Sequence, residues 1–170
     1  KDHELLTELV SLGTSNISII GVDLSLYQNS GANMVQQLAY GLAHANEYLN
    51  HITLNGAEKS LPITFKVAVG SNYFFEIAKI KALRWLWNSL AAEYGIKSNC
   101  TILAIPSKRN KTLYDYNVNM LRTTSECMSA VLGGADTVCN LAYDAIYHKD
   151  NEFGERIARN QLLLLKEEGY

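Results

Sequence analysis

The sequence predicts an α/β fold made of consecutive βα units with parallel strands. Four short runs rich in β-branched residues alternate with longer stretches of helical periodicity, a pattern typical of a parallel sheet with crossover helices. The strand candidates are residues 16–22, 64–69, 101–105 and 137–140. Their apolar alternation is weak, which predicts that both faces of the sheet are covered.

Four βα units correspond to half of a (β/α)8 barrel, which needs eight strands and about 250 residues. We therefore expect a partial TIM barrel, with an open doubly wound sheet as the alternative. A nucleotide-binding doubly wound sheet usually has a Gly-rich turn after its first strand, and the residues from Gly21 to Tyr27 do not provide one. A half barrel has two unpaired strand edges, which predicts self-association of the chain.

Helical periodicity marks the segments that follow the strands. An amphipathic helix is expected over residues 32–50. The most regular apolar stripe begins after a predicted N-cap at Asn72 and ends at Gly95. A third helix is marked by four apolar residues, Val118, Leu121, Met128 and Val131. A fourth is expected over residues 152–165, and a short leading helix over residues 3–12.

Composition and charge exclude several functional classes. The 170 residues are 48% hydrophobic and 19% charged, as in an ordinary globular domain, and the formal net charge of -2 gives no broad attraction to nucleic acid or anionic membranes. No apolar run reaches the roughly 18 residues of a transmembrane helix, and the N-terminus lacks the features of a signal peptide. We expect one domain over residues 1–170, located in the cytoplasm, without nucleic-acid or membrane partners.

The three cysteines indicate a reducing compartment. Cys100, Cys127 and Cys139 are an odd number at wide spacings, and none belongs to a CxxC or Cys/His zinc pattern. Their small or apolar neighbours predict buried reduced thiols. No metal site and no catalytic triad is predicted.

Any active site should lie at the carboxyl ends of the strands, in residues 23–30, 70–72, 106–116 and 141–151. These loops are poor in the usual catalytic groups, since only one of the four histidines, His148, lies in them. The sequence alone therefore predicts no catalytic residue.

Two kinds of charged residue in these loops have alternative interpretations. Lys108, Arg109 and Lys111 form a basic cluster that could bind a phosphate-bearing ligand or could be a solvated turn. Asp23 and Asp144 could act as acids or bases, but neither has an evident His or Lys partner in the sequence, so capping or turn formation is favoured.

Eight short segments together resemble a known family. They are residues 27–32 (YQNSGA), 35–39 (VQQLA), 47–49 (EYL), 72–79 (NYFFEIAK), 82–87 (ALRWLW), 119–124 (NMLRTT), 130–136 (AVLGGAD) and 156–161 (RIARNQ). In this order, and over nearly the whole chain, they resemble the acyl-CoA-binding barrel domain of methylmalonyl-CoA mutases.

The resemblance implies a fold and a chemistry. Catalytic chains of the family thread a CoA ester along the axis of a (β/α)8 barrel, against which a separate cobalamin-binding domain packs. Radicals generated from adenosylcobalamin interconvert methylmalonyl-CoA and succinyl-CoA. By this resemblance the chain covers about the middle half of the barrel, and its start at Lys1 and its end after a helical pattern also suggest a fragment of a longer polypeptide.

The sequence departs from the family pattern at ligand positions. Catalytic chains carry a histidine two residues before the glutamine that corresponds to Gln28, and this chain has Leu26 there. A His-x-Gln pair is replaced in the strand that contains Leu103 and Ile105, and a glutamate is replaced by Ala145. Aliphatic side chains cannot donate or accept the lost hydrogen bonds.

These departures imply the non-catalytic small subunit of a heterodimeric mutase, which stabilises the catalytic large subunit. The apolar replacements are expected to be buried and to fill an axis that no longer holds CoA. We expect no cofactor on this chain, adenosylcobalamin in the parent complex, and substrate contacts at most from Gln28, Lys108 and Arg109. The alternatives are a divergent catalytic acyl-CoA mutase that uses these residues and Tyr27, and an independent nucleotide-binding domain.

Overall fold

The computed structural model describes residues 4–6, 8, 18, 20–54, 62–96 and 99–169. The strands in this part of the chain are β1 (Ile20–Asp23), β2 (Ile63–Val69), β3 (Cys100–Pro106) and β4 (Thr137–Val138). The helices are α1 (Ser25–Asn29), α2 (Met34–Leu54), α3 (Tyr73–Glu93), α4 (Val118–Gly133) and α5 (Glu152–Glu167). All four predicted strands and the four long helices are confirmed, and α1 is an addition.

Two predicted segments fall partly outside the described residues. Of the leading helix expected over residues 3–12, residues 4–6 and 8 are helical, and the remainder is not described. Of the first predicted strand, residues 16–22, the structure describes residue 18 and residues 20–22.

All four strands are parallel and follow one another in the sheet in the order β1-β2-β3-β4. The described strands contain no reversal of order, which a doubly wound sheet requires at its switch point. The α/β prediction is therefore confirmed, and the sequential order favours a barrel segment over the doubly wound alternative.

One face of the sheet is covered by helices. Val22, Phe65 and Ile102 are in register across β1, β2 and β3, and all are buried in the core. In the next layer the register pairs Asp23 with Lys66, and both are only half-buried. The prediction that both faces are covered is wrong for the described residues, because successive right-handed crossovers place every helix on the same side.

The core lies between the sheet and the helices α2, α3 and α4. Trp87 of α3 is fully buried, and its ring contacts that of Phe65 edge-on at a centroid distance of 5.6 Å. Leu49 of α2 and Ala130 of α4 belong to the same cluster. The apolar faces of the helices thus pack against every second residue of the strands. This arrangement is expected, because side chains share one face of a helix every three to four residues and one face of a sheet every second residue.

The ends of α3 lie where the sequence predicts them. Asn72 occupies the N-cap position, although its side chain forms no capping hydrogen bond. At the other end Gly95 has a φ of +67°, in the left-handed region that glycine adopts without steric cost.

A charged group connects α3 to the sheet. Asp136 Oδ2 accepts hydrogen bonds from Arg84 Nη2 at 2.9 Å and from the backbone N–H of Ile102 at 2.7 Å. Partial burial acts to raise the pKa of Asp136, but the two hydrogen bonds outweigh it and hold that pKa below its usual value. The bond to Ile102 extends the pairing between β3 and the start of β4.

The cysteine prediction is confirmed for two of three residues. Cys100 and Cys127 are buried, and burial raises the pKa of their thiols to about 11 and about 12. Cys139 is exposed, because it follows the two-residue strand β4 on the uncovered side. No helix in the described part of the chain is long and apolar enough to cross a membrane.

Candidate functional site

A cleft of about 520 Å³ opens at the carboxyl ends of β1, β2 and β3. Its wall includes the first turns of α2 and α3 and the loop after β3. The lining residues with hydrogen-bonding or charged groups include Gln28, Gln37, Glu76, Arg109 and Asn110. The cleft therefore lies where parallel α/β folds place their ligands.

Three buried side chains form a chain of hydrogen bonds beside this cleft. The Lys79 ammonium donates to Gln37 Oε1 at 3.0 Å and to the Ala68 carbonyl at 2.7 Å. Gln37 Nε2 in turn donates to Gln28 Oε1 and, at 2.9 Å, to the Ala32 carbonyl. Because an ammonium can only donate, Lys79 determines the orientation of the Gln37 amide, which then determines that of Gln28.

The result is that Gln28 presents its amide nitrogen to the cleft. Gln28 is only 7% exposed, and because its Oε1 accepts from Gln37, its Nε2 is the atom that can donate to another group. A side chain at Gly70 would crowd this nitrogen, since a Cβ placed there would lie 3.1 Å from it. The cleft thus offers two amide N–H donors to the acceptor of a ligand.

A buried ion pair supports this arrangement. Lys79 Nζ lies 2.5 Å from Glu76 Oε2, and both side chains are almost completely excluded from solvent. Burial lowers the pKa of Lys79 despite the opposing charge of Glu76. The second oxygen of Glu76 approaches Gly70, so that a carboxylate lies beside the Gln28 donors.

The predicted basic cluster does not form one surface. Arg109 lines the cleft, and its Nη1 donates to the Gln28 carbonyl at 3.3 Å. Lys108 is exposed outside the lining, where its backbone N–H donates to Asn29 Oδ1 at 3.0 Å. The Lys111 ammonium is buried against Glu126 and is not available to a phosphate. The structure thus brings Gln28 and Arg109 together and separates them from Lys111.

Lys111 belongs to a second buried ion cluster. Its Nζ lies 2.5 Å from Glu126 Oε2, and the side chains are 3% and 0% exposed. Asn110 Nδ2 donates to the other oxygen of Glu126 at 2.5 Å, and Arg122 donates to the Asn110 carbonyl. Burial raises the pKa of Glu126, with Lys111 opposing the shift. This cluster joins the loop after β3 to α4.

Sequence reasoning did not identify Gln37, Glu76, Lys79 or Glu126 as parts of a site. The available signal was that Glu76 and Lys79 fall three residues apart on the stripe of α3 that faces the core. A charged residue at such a position is buried only when it is paired.

The apolar replacements lie in different surroundings. Leu26 is 65% exposed on α1, which contradicts the expectation that it is buried. Leu103 and Ile105 are half-buried on the uncovered face of the sheet, and Ala145 is half-buried in the turn after β4. Nothing among the described residues covers that face.

Both aspartates that lacked an evident partner in the sequence have one in the structure. Asp23 Oδ2 lies 3.0 Å from Lys66 Nζ. Buried Asp144 accepts a hydrogen bond from Asn151 Nδ2 at 2.7 Å, and its Oδ2 lies 3.2 Å from His148 Nδ1. The residue that caps α5 is Asn151, whose side-chain oxygen accepts from the backbone N–H of Gly154, so the capping interpretation of Asp144 is wrong and Asp144 only holds the Asn151 amide.

No group of three or more His, Cys, Asp or Glu side chains in the described residues is arranged to hold a metal ion. The fold and the cleft define a class: an α/β protein with an open parallel sheet in sequential strand order and an amide and guanidinium site at the carboxyl ends of its strands. A family model for methylmalonyl-CoA mutase matches residues 6–170. The chain belongs to the methylmalonyl-CoA mutase family.

Individual relatives agree with this assignment. The chain is 42% identical over 158 residues to the methylmalonyl-CoA mutase small subunit of Porphyromonas gingivalis, covering 88% of this chain and 26% of that protein. It is 37% identical over 154 residues to the small subunit of Streptomyces virginiae, covering 88% and 25%. It is 34% identical over 165 residues to the methylmalonyl-CoA mutase of Cereibacter sphaeroides, covering 91% and 22%. The chain spans about a quarter of the length of these curated relatives.

Proposed function

We propose that the chain is the central barrel segment of the non-catalytic small subunit of an adenosylcobalamin-dependent methylmalonyl-CoA mutase. Its function is to stabilise the catalytic large subunit of this cytoplasmic isomerase. The proposal is carried by the aliphatic residues Leu26, Leu103 and Ile105, which by the family resemblance stand at positions where catalytic chains bind substrate or cofactor. The 42% identity to a protein named as a small subunit supports it.

The β3 part of the uncovered face offers no hydrogen bond to a corrin or a thioester carbonyl, and the charged residues Asp23 and Lys66 on the same face pair with each other. Leu103 and Ile105 lie on this face and offer no hydrogen bond to a polar ligand. Adenosylcobalamin supplies radical chemistry where it is bound, and we propose that the large subunit binds it. This chain contributes packing rather than a catalytic residue.

Reconstitution of the complex tests the proposal. The complete small subunit is added to its large subunit, and the conversion of methylmalonyl-CoA to succinyl-CoA and the thermal stability of the large subunit are measured. We expect both to increase with the small subunit, which has no activity alone with adenosylcobalamin. The variant Leu26→Ala should leave kcat of the complex within about twofold, since no ligand contact is lost.

Two results would contradict this function. One is mutase activity of the small subunit in the absence of the large one. The other is a loss of kcat by two orders of magnitude or more in Leu26→Ala, which would place Leu26 at the reacting atoms.

A second candidate function is a retained acyl-CoA contact, which one feature of the cleft favours. Gln28 and Arg109 line the same cleft, and Arg109 Nη1 donates to the Gln28 carbonyl at 3.3 Å. Their N–H groups suit a carbonyl, carboxylate or phosphate acceptor. Exposed Lys108, which precedes Arg109 in the sequence, adds positive charge that attracts an anion. A divergent catalytic chain would need such a site.

Binding measurements on the complete small subunit test this contact. If succinyl-CoA binds here, Arg109→Ala should weaken its affinity by about 10- to 100-fold, the effect of losing one charged hydrogen bond. The variant Lys108→Ala serves as the neighbouring control and should weaken it by less than about threefold. Equal effects of the two variants, or no saturable binding, would reject the contact.

A further inference from the structure

The cleft holds a hydrogen-bond donor and a hydrogen-bond acceptor close together. A Cβ placed on Gly70 would lie 3.1 Å from Gln28 Nε2 and 3.2 Å from Glu76 Oε1, so both atoms border the same small space. Gln28 and Glu76 are 7% and 2% exposed, and all three residues line the cleft. Because Gly70 has no side chain, the space between the two polar atoms is open to a ligand.

Buried partners determine which of the two side chains donates. The Lys79 ammonium has three protons to donate. Acceptors beside it are the Ala68 carbonyl, Gln37 Oε1 and Glu76 Oε2. The other carboxylate oxygen, Glu76 Oε1, can therefore accept from a ligand. Gln28 Oε1 already accepts from Gln37, so that Gln28 offers its Nε2 as the donor.

A donor next to an acceptor matches the edge of a purine base. Adenine presents its N6 amino group beside the acceptor N7, and guanine presents its acceptor O6 beside the N1–H. Either base can accept from Gln28 and donate to Glu76. A carboxylate or phosphate fits poorly at this point, because it has no proton to donate and would lie against the charge of Glu76.

The other walls of the cleft suit the rest of a nucleotide. Met34, Val35 and Phe75 line the cleft and offer apolar contacts to the faces of a planar base. Arg109 Nη1 donates to the Gln28 carbonyl at 3.3 Å, and the guanidinium has further N–H groups that suit a phosphate. A simple carboxamide would satisfy Gln28 and Glu76 but would make no use of these apolar and basic residues. The volume of about 520 Å³ is within the range of small-molecule sites.

We propose that the cleft binds a purine nucleotide, with the edge of the base between Gln28 and Glu76 and the phosphate at Arg109. The Gly-rich turn that the sequence lacks is not needed, because Arg109 supplies the phosphate contact. The inference rests on the second candidate function for one source of the nucleotide, since coenzyme A contains an adenine nucleotide. A free nucleoside monophosphate is the other source.

Two variants at neighbouring positions provide a matched test in the complete small subunit. In Gln28→Glu the new carboxylate can still accept from Gln37 but cannot donate to a base. Asn29→Asp adds the same charge on an exposed residue and keeps the acceptor of the Lys108 N–H. Gln28→Glu should raise the Kd of AMP or GMP by at least about 10-fold, and Asn29→Asp by less than about threefold. Isothermal titration calorimetry at about pH 8, which favours the ionised carboxylates, gives both values.

A second pair of variants and a second ligand distinguish a lost contact from a general loss of structure. Gly70→Ala fills the space between the two polar atoms, and its φ is not positive, so it should weaken nucleotide binding by at least about 10-fold. Gly21→Ala places its Cβ with no described atom within 4 Å and should leave binding unchanged. Ribose 5-phosphate keeps the phosphate but lacks the base, and it should bind at least about 10-fold more weakly than the nucleotide.

The outcomes separate this inference from the second candidate function. The purine site is overturned by an absence of saturable AMP or GMP binding, by equal effects of Gln28→Glu and Asn29→Asp, or by equally tight binding of ribose 5-phosphate. If succinyl-CoA then still binds with the expected dependence on Arg109, the acyl-CoA contact stands without the purine site. If a nucleotide binds as expected and succinyl-CoA does not, the purine site stands and its ligand is the free nucleotide. Displacement of the nucleotide by coenzyme A would identify coenzyme A as the source.

Discussion

Replacing Glu126 by alanine is expected to lower the free energy of unfolding by about 3–5 kcal/mol. The Glu126 carboxylate and the Lys111 ammonium are 2.5 Å apart, and neither side chain is more than 3% exposed. Removal of the carboxylate leaves a buried cation without its counter-charge and removes the acceptor of Asn110 Nδ2. Urea denaturation followed by circular dichroism measures the change.

The double variant Lys111→Met with Glu126→Leu is the control for this effect. It removes both charges and replaces them with apolar side chains of similar volume, so its free energy of unfolding should lie within about 1–2 kcal/mol of the original. A double variant as unstable as Glu126→Ala would contradict the explanation, because the loss would then come from packing rather than from an unpaired charge.

Replacing Trp87 by alanine should also lower the free energy of unfolding by about 3–5 kcal/mol. Trp87 is fully buried between α3 and the sheet and contacts the ring of Phe65. Its truncation removes a large apolar side chain and leaves a cavity that the surrounding helices and strands can fill only in part. The same denaturation measurement applies, with an unchanged slope against urea concentration as evidence that unfolding stays cooperative.

Trp85 provides the matched control on the same helix. It is 75% exposed two residues away, so Trp85→Ala should change the free energy of unfolding by less than about 0.5 kcal/mol. Equal destabilisation by the two tryptophan variants would mean that the orientation of α3 is wrong.

The order and type of the elements could be predicted because they depend on local patterns. The β-branched runs predicted β2 and β3 to within a residue of their observed ends, and the stripe from Asn72 to Gly95 predicted α3. The weak alternation of apolar residues along the strands led to the wrong prediction that both faces of the sheet are covered. Small or apolar residues such as Gly21 and Ile105 occupy the uncovered side as well, so that the strand sequence does not distinguish the two faces.

The candidate site could be predicted only in part. Gln28 and Arg109 belong to loops at the carboxyl ends of strands, which are the expected place for ligands. Their partners Gln37 and Lys79 lie on two different helices, and no spacing along the chain connects them. Lys111 resembles Lys108 and Arg109 in sequence, yet a partner fifteen positions away in the chain removes it from the ligand surface.

The sequence by itself determined that this is an α/β chain of the methylmalonyl-CoA mutase family. Those properties depend on residue identity and short-range periodicity, which can be read directly from the sequence. Tertiary structure alone decided that α4 turns its polar side inward, because Glu126 finds a buried counter-charge there. The spacing of hydrophobic residues predicts that a helix is amphipathic. Which of its two sides is buried depends on packing and charge pairing with elements that are distant in the sequence.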